Sequence, residues 1–590
     1  MSSLIQALDS KQMGENGHYE YTWTAQTHSN TLIEEKLVQI HFQLTRCSED
    51  RHATLSVNLY QLLRQLKEYF DSKEQFVDYK KYIVMLYKMI GYTRDIINGK
   101  GEYELSFLMI RYFYAFFPQL AIQLVSSFVE MGKKEHPYGS WKDLKYLCQH
   151  CKESYTYDKE HSIKYDEIIE KCCNLYNTQL RKDYENQFDL NYNQSLVAKW
   201  IPRENKKFGW LFSKLAESYF KEYMDTAITP EQECRAKKKC YREYRRILSS
   251  LNEKLNTLQI RQCDNTWSQI DFDNVTSISM MKQKTAFLNI KRNGNSRYPE
   301  RQDRIVCAEK FAKYIDDKNS KIKGKRVSII DFTKEALMML SYHSEYSNFG
   351  REHEIKLLNK QWENNKSQNA KLGKMIAMVD TSGSMEGEPL YAAIALGIRI
   401  AEMSVLGKRV MTFSSYPTWV NLDECNDFTS CVDKIKDSDW GMNTNFYASI
   451  DLILDAIIET KLPPSEVKDL VLVILSDMQI DQADNRINRN TMFSNFEEKF
   501  RNVGMEHYGE PLTPPHILFW NLRSTNGFPN LATEKNTSMM SGMNPVLMNV
   551  FCDEGMESLA QYTPWNLLEK TLKHERYSVL QKYADEFLNI

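Results

Sequence analysis

Glycine and proline are scarce in this chain, 22 and 15 of 590 residues. A β-sandwich needs many turn formers, so their scarcity argues for long helices. No excess of either charge is present, with 76 lysines and arginines against 78 aspartates and glutamates. A nucleic acid or membrane surface would therefore have to meet a local patch. No apolar run reaches membrane-spanning length, because the longest, around 105–128, is interrupted by Arg111, Gln119 and Gln123. The first nine residues have no basic region followed by an apolar core, so no secretory signal is expected. The 12 cysteines show no disulfide framework and fit reduced thiols. Cys148-Gln-His-Cys151 is a single CxxC, and Cys172-Cys173 lacks the spacing of a second zinc half-site, so buried structural thiols are expected. The expectation is a soluble, cytoplasmic protein without a membrane partner.

Catalytic signatures are missing too. Gly99-Lys-Gly101 has no glycine five residues before a Gly-Lys-Ser/Thr, so it reads as a turn and not as a phosphate loop. Neither His353-Glu354 nor His574-Glu575 has the second histidine of a zinc-protease helix. No nucleophile–base pair can be recognised, which points to a binding protein and not an enzyme.

What is present begins with organisation. Length alone suggests about three or four domains' worth of chain. Residues 1–30 are polar and aperiodic and read as an arm or a strand lying on the main body. From 31 to 365 apolar residues recur at spacings of three and four, with helices expected over 54–70, 79–92, 104–131, 162–184, 207–223, 235–258, 301–314 and 332–342. Antiparallel helices stacked in pairs would bury those faces, so a helical-repeat, HEAT-like domain is expected although the sequence shows no fixed-period repeat. The polar run 363–371 reads as a hinge. After it strands and helices alternate: strands 375–379, 409–413, 470–476, 516–521 and 537–540, with helices 390–405, 444–459 and 492–503 between them. Such alternation predicts an α/β, doubly wound domain over 366–560, followed by a C-terminal helix in 561–590 whose cap is Thr563-Pro564. A fragment starting at 366 is expected to fold alone.

The chemistry lies in three loops of that α/β part. Met378-Val-Asp-Thr-Ser-Gly-Ser-Met385 follows a buried strand and precedes a helix, and it carries Asp380, Ser382 and Ser384 at alternating positions. All three are hard oxygen ligands of the kind Mg2+ prefers, and Gly383 lets the backbone curl so that they converge. Thr444 opens a later helix, and Asp477 ends the apolar run 469–477. Three segments thus offer oxygens at the carboxyl ends of strands, where open α/β sheets bind ligands.

Asp-x-Ser-x-Ser, then a lone Thr, then Ser-Asp after a strand resembles the metal-ion-dependent adhesion site of von Willebrand factor A domains. The resemblance implies a six-stranded doubly wound sheet. It also implies Mg2+, with Mn2+ as a substitute, held by Asp380, Ser382, Ser384, Thr444 and Asp477, leaving one position open for the Asp or Glu carboxylate of a protein ligand. Met442-Asn443 stands where that family often has Gly-Gly. Farther upstream, Asn16-Gly17, 94–102 (Arg-Asp-Ile-Ile-Asn-Gly-Lys-Gly-Glu), 138–144 (Tyr-Gly-Ser-Trp-Lys-Asp-Leu), 198–203 (Ala-Lys-Trp-Ile-Pro-Arg) and Trp267 to Phe272, with Val275 and Ser277, follow in order. With the adhesion-site motif they resemble an uncharacterised domain-of-unknown-function family of plants, fungi and large DNA viruses. That layout is similar to the TROVE, or Ro autoantigen, proteins, and the similarity implies RNA bound by the helical part. Richness in Lys, Asn, Ile and Tyr suits an AT-rich genome and leans toward a viral protein, which would place it in host cytoplasm or virion.

The strongest basic segment is 235–246. On a helix Arg235, Lys238, Lys239, Arg242 and Arg246 fall near one face with Tyr241 and Tyr244 nearby, a mixture suited to phosphate contact and base stacking in RNA. A solvated helix surface is the competing reading, as is a protein-only assembly module with no nucleic acid. The second basic stretch, 321–326, reads as a loop.

Overall fold

The computed structural model describes residues 10–14, 19–24, 29–46, 52–73, 77–130, 135–154, 164–291, 294–341, 348–413, 416–438, 446–479, 492–552, 559 and 561–589. It divides into two compact units, one of residues 1–89, 98–100 and 271–578, the other of 90–97, 101–270 and 579–590.

The first unit is built on a mixed six-stranded sheet. Its strands are β3 (Met375–Asp380), β4 (Arg409–Phe413), β5 (Thr418–Asn421), β6 (Val471–Ser476), β7 (His516–Asn521) and β8 (Thr537–Ser541), ordered β5-β4-β3-β6-β7-β8. Every pairing is parallel except β4 with β5. The residues of β6, β7 and β8 are all buried, as parallel strands covered on both faces require. The chain lays down β3 first, then moves to one side for β4 and β5 before crossing to the other side for β6. The order therefore reverses between β3 and β6, and in open α/β sheets that reversal opens a crevice at the carboxyl ends.

Helix Glu388–Met403 carries the chain away from β3 and packs back on it. Gly397 makes that approach close: a Cβ there would lie 2.5 Å from Val379 Cγ2. The same helix buries Arg399 completely, its guanidinium 4.0 Å from the ring of Trp362, on which Phe428 also stacks at 4.0 Å. Trp362 belongs to helix Asn348–Lys366.

The sheet's unit extends beyond residues 366–560. Helix Asn30–Gln43 packs on β8, and β1 (Lys11–Met13) and β2 (Tyr19–Tyr21) form a hairpin. That hairpin is fastened by the Tyr21 and Phe528 amides, which exchange hydrogen bonds of 2.9 and 3.0 Å. The arm expected at the N-terminus is thus this hairpin where it is described; Asn16-Gly17 lies outside the described residues. The run 363–371 is not a hinge. Arg399 Nη1 donates to Asn365 Oδ1 (3.3 Å) and Asn369 Oδ1 (2.9 Å), and Asn369 Nδ2 donates to the Pro545 carbonyl at 2.7 Å. Its polar side chains are spent on buried backbone and on a buried cation, which periodicity cannot distinguish from solvation.

The second unit is helical. The run expected as one helix over 104–131 is two, Tyr103–Phe116 and Pro118–Ser126, because Pro118 has no N–H to continue the first. Helices Trp141–Ser154 and Asp166–Glu185 pack together. Arg94 and Asp143 form a buried ion pair of 2.7 Å, which joins two of the motifs noted in the sequence. Residues 561–590, expected as one helix, hold two: Pro564–Lys573, which belongs to the first unit, and Ser578–Leu588, which belongs to the second from Val579 on. The first of these ends before His574, whose Nδ1 accepts the Arg576 N–H at 3.1 Å. Among the described residues no helix is long and apolar enough to cross a membrane.

Candidate metal centre at the strand ends

Asp380 is the last residue of β3, and Asp477 follows the last residue of β6. The register pairs Val379 with Leu475, so the two carboxylates end neighbouring strands at the reversal of strand order. Both residues are fully buried. Asp380 Oδ1 accepts the Ser382 N–H at 2.9 Å and Oδ2 accepts the Ser476 hydroxyl at 2.6 Å. Burial first, then the charge of Asp477, pushes the Asp380 carboxyl up to about 7. Burial also raises Asp477, against the pull of the Gln479 amide and of Arg523.

The loop after β3 makes a single turn of 3-10 helix over Gly383–Met385. That turn brings the Ser382 and Ser384 hydroxyls to 3.1 Å from each other. Thr381 Oγ1 is buried without a hydrogen-bond partner among the described residues. After β6 the chain turns at Met478, whose φ of 64° is left-handed, and Gln479 N–H folds back on Asp477 Oδ1 at 3.1 Å. Two buried carboxylates, two facing hydroxyls and one unpartnered hydroxyl are an all-oxygen set, the donor chemistry of a hard divalent cation. Asp380, Ser382, Ser384 and Asp477 are thus brought together, whereas Thr444 lies outside the described residues.

Sequence reasoning missed Arg523. It lies just beyond β7 and its Nη1 donates to Asp477 Oδ2 and to the Ser384 carbonyl, both at 3.0 Å. Only the register of β7 on β6 reveals this, since 46 residues separate it from Asp477.

Arg235, Lys238, Lys239, Arg242 and Arg246 all lie exposed on helix Pro230–Leu255. Two are engaged by Glu243, at 3.0 Å from Arg242 and 3.2 Å from Arg246, and Lys239 Nζ sits 3.7 Å from the Tyr223 ring centre. The tyrosines do not offer a stacking platform. Tyr244 is fully buried, with its hydroxyl on Asn177 Oδ1 at 3.0 Å, and Tyr241 donates to Glu217. Tyr244 shares the buried stripe Cys240, Tyr244, Ile247, Leu251, so the apolar spacing of the helix claims it for the core.

Cys148, Cys151, Cys172 and Cys173 are free and buried on two packed helices, with burial pushing each thiol up. Among the described residues no group of three or more His, Cys, Asp or Glu could hold a metal. The strand-end set has only two carboxylates and relies on hydroxyls for the rest.

Fold and site together give a helical part and an α/β part whose oxygen-rich strand ends lie where the order of its sheet reverses. Residues 374–583 match the family model of a domain of unknown function (DUF7788), and residues 148–374 that of a second domain of unknown function (DUF2828). The chain is also similar to an uncharacterised protein of Acanthamoeba polyphaga mimivirus, 29% identical over 501 residues, covering 82% of this chain and 79% of that protein. The two family matches meet at Lys374, one residue before β3.

Proposed function

We propose that this is a binding protein, not an enzyme, whose α/β domain is of von Willebrand A type and recognises an acidic partner through Mg2+ or Mn2+. The observation that carries this reading is the placement of Asp380 and Asp477 at the ends of the two strands between which the sheet order reverses. Asp380, Ser382, Ser384 and Asp477 would hold the ion, with Thr444 as the fifth ligand. When bound, the ion supplies a Lewis-acidic bridge to a carboxylate of a protein ligand. The protein's own groups prepare for it: Ser476 and the Ser382 amide orient Asp380, and the Gln479 amide orients Asp477.

The helical unit is, in this proposal, a HEAT-like stack that contacts RNA phosphates through Arg235, Lys238, Lys239, Arg242 and Arg246, as the layout shared with TROVE proteins suggests. Five exposed cations on one helix support it. With its tyrosines in the core, that helix would track backbone and not read bases. A protein-only assembly module is the rival, and co-elution of nucleic acid with the purified chain separates the two.

Thermal melting tests the metal site. Millimolar Mg2+ should raise the melting temperature of the full chain, since a ligand that binds only the folded state stabilises it. Asp380→Ala should remove that shift while leaving a cooperative transition. A melting point indifferent to Mg2+ and to chelator sinks the proposal.

A further inference from the structure

The strand-end site carries a cation of its own. Asn521, fully buried at the end of β7, donates through Nδ2 to the Phe42 carbonyl and accepts the Arg523 N–H through Oδ1, both at 3.0 Å. That fixes where the Arg523 side chain starts. Its Nη1 then bridges the two loops that carry the oxygen ligands, taking Asp477 Oδ2 and the Ser384 carbonyl. Asp380 has no ion-pair partner among the described residues and is held by neutral donors only. The set of two carboxylates and one guanidinium is therefore one positive charge short of neutral. A divalent ion overshoots by one, so the fixed guanidinium opposes it in a site where burial strengthens every charge interaction.

Resting on the metal-binding reading above, we infer that Arg523 is a tethered counter-charge that occupies Asp477 and weakens the site's hold on a divalent cation. The guanidinium stands in for the metal at one of the two carboxylates and must yield Asp477 Oδ2 or share it. Because Arg523 is partly exposed, with 21% of its side-chain surface accessible, it has room to swing away.

Calorimetric titration of the full chain with Mn2+ alone tests this. Arg523→Gln and Arg523→Met, each verified by circular dichroism, remove the charge in a polar and an apolar form. The expected result is a fall in the Mn2+ Kd of at least about fivefold for both, the lower end of the coupling usual between two interacting sites. Arg523→Lys keeps the charge and should stay near the parent value. If Gln and Met variants bind Mn2+ as the parent does, or more weakly, Arg523 is a structural clip and the inference is wrong while the metal site stands. Should the parent and all three variants fail to bind Mn2+, the metal reading itself falls and takes the inference with it.

Discussion

Lys100 reaches Ser541 across 441 positions of sequence, and both are buried. The same ammonium donates to the His41 carbonyl at 2.8 Å and the Leu44 carbonyl at 3.1 Å. It thereby neutralises the negative end of helix Asn30–Gln43 and pins that end to β8. The Gly99-Lys-Gly101 segment is a turn that aims a cation inward.

Replacing this lysine should cost stability and nothing else. Lys100→Met keeps most of the volume but leaves two buried carbonyls without their charged donor, a loss of about 2–3 kcal/mol. Urea denaturation should show a lower midpoint at unchanged slope. A midpoint equal to the parent's would mean that water or Ser541 alone satisfies those carbonyls.

Residues 366–590 should not fold by themselves, contrary to what strand–helix alternation led us to expect. That fragment omits Glu35, which accepts the Ala532 N–H at 2.6 Å, and Gln43, whose Nε2 donates to the Gly527 carbonyl at 3.1 Å. It also omits Trp362, which covers Phe428. The fragment should be insoluble or lack near-ultraviolet circular dichroism. A soluble, cooperatively melting fragment would show those contacts to be dispensable.

Stability should fall as pH rises from about 4.5 to 7, and Glu35 is one cause. Burial pushes its carboxyl from 4.5 up to about 7. Below pH 4.5 the group is protonated in folded and unfolded chains alike. Between 4.5 and 7 the unfolded chain gives up the proton first, and above 7 the folded chain must hold a buried charge. The loss over that window is about 3 kcal/mol. Glu35→Gln keeps an acceptor for Ala532 and should flatten the pH dependence of the melting temperature between pH 4.5 and 7. An unchanged slope would assign it to other groups.

Binding of single-stranded RNA, if helix Pro230–Leu255 tracks phosphates, should weaken steeply with salt. Charge reversal at Lys238, Arg242 and Arg246 should lower affinity about equally for every sequence, because phosphates carry no base information. Retardation gels at several salt concentrations decide this. A triple variant that binds as the parent does would favour the protein-only module.

Much of the α/β part was legible because its strands are continuous apolar runs. Val471–Ser476 and His516–Asn521 lie within one residue of where the pattern put them. β5 was not, since Thr418–Asn421 is short and alternates exposure at the sheet edge. Four oxygens of the candidate site could be named from motif spacing, because Asp380, Ser382 and Ser384 share one loop and Asp477 closes a strand. Arg523 could not, since its role depends on which strands are neighbours. Tyr244 was misassigned to a ligand face although its spacing from Cys240 and Ile247 already put it on the apolar stripe.

The sheet's unit is discontinuous, and that orders events during synthesis. Hairpin β1–β2 and helix Asn30–Gln43 leave the ribosome long before β8 exists to receive them. Meanwhile residues 101–270, most of the other unit, emerge complete and rich in local helical contacts, which form fast. Helix Asn30–Gln43 can pack early on His52–Ser72, but the face it turns to β8 stays uncovered until Thr537–Ser541 has been made. In that interval this face is apolar surface open to a chaperone.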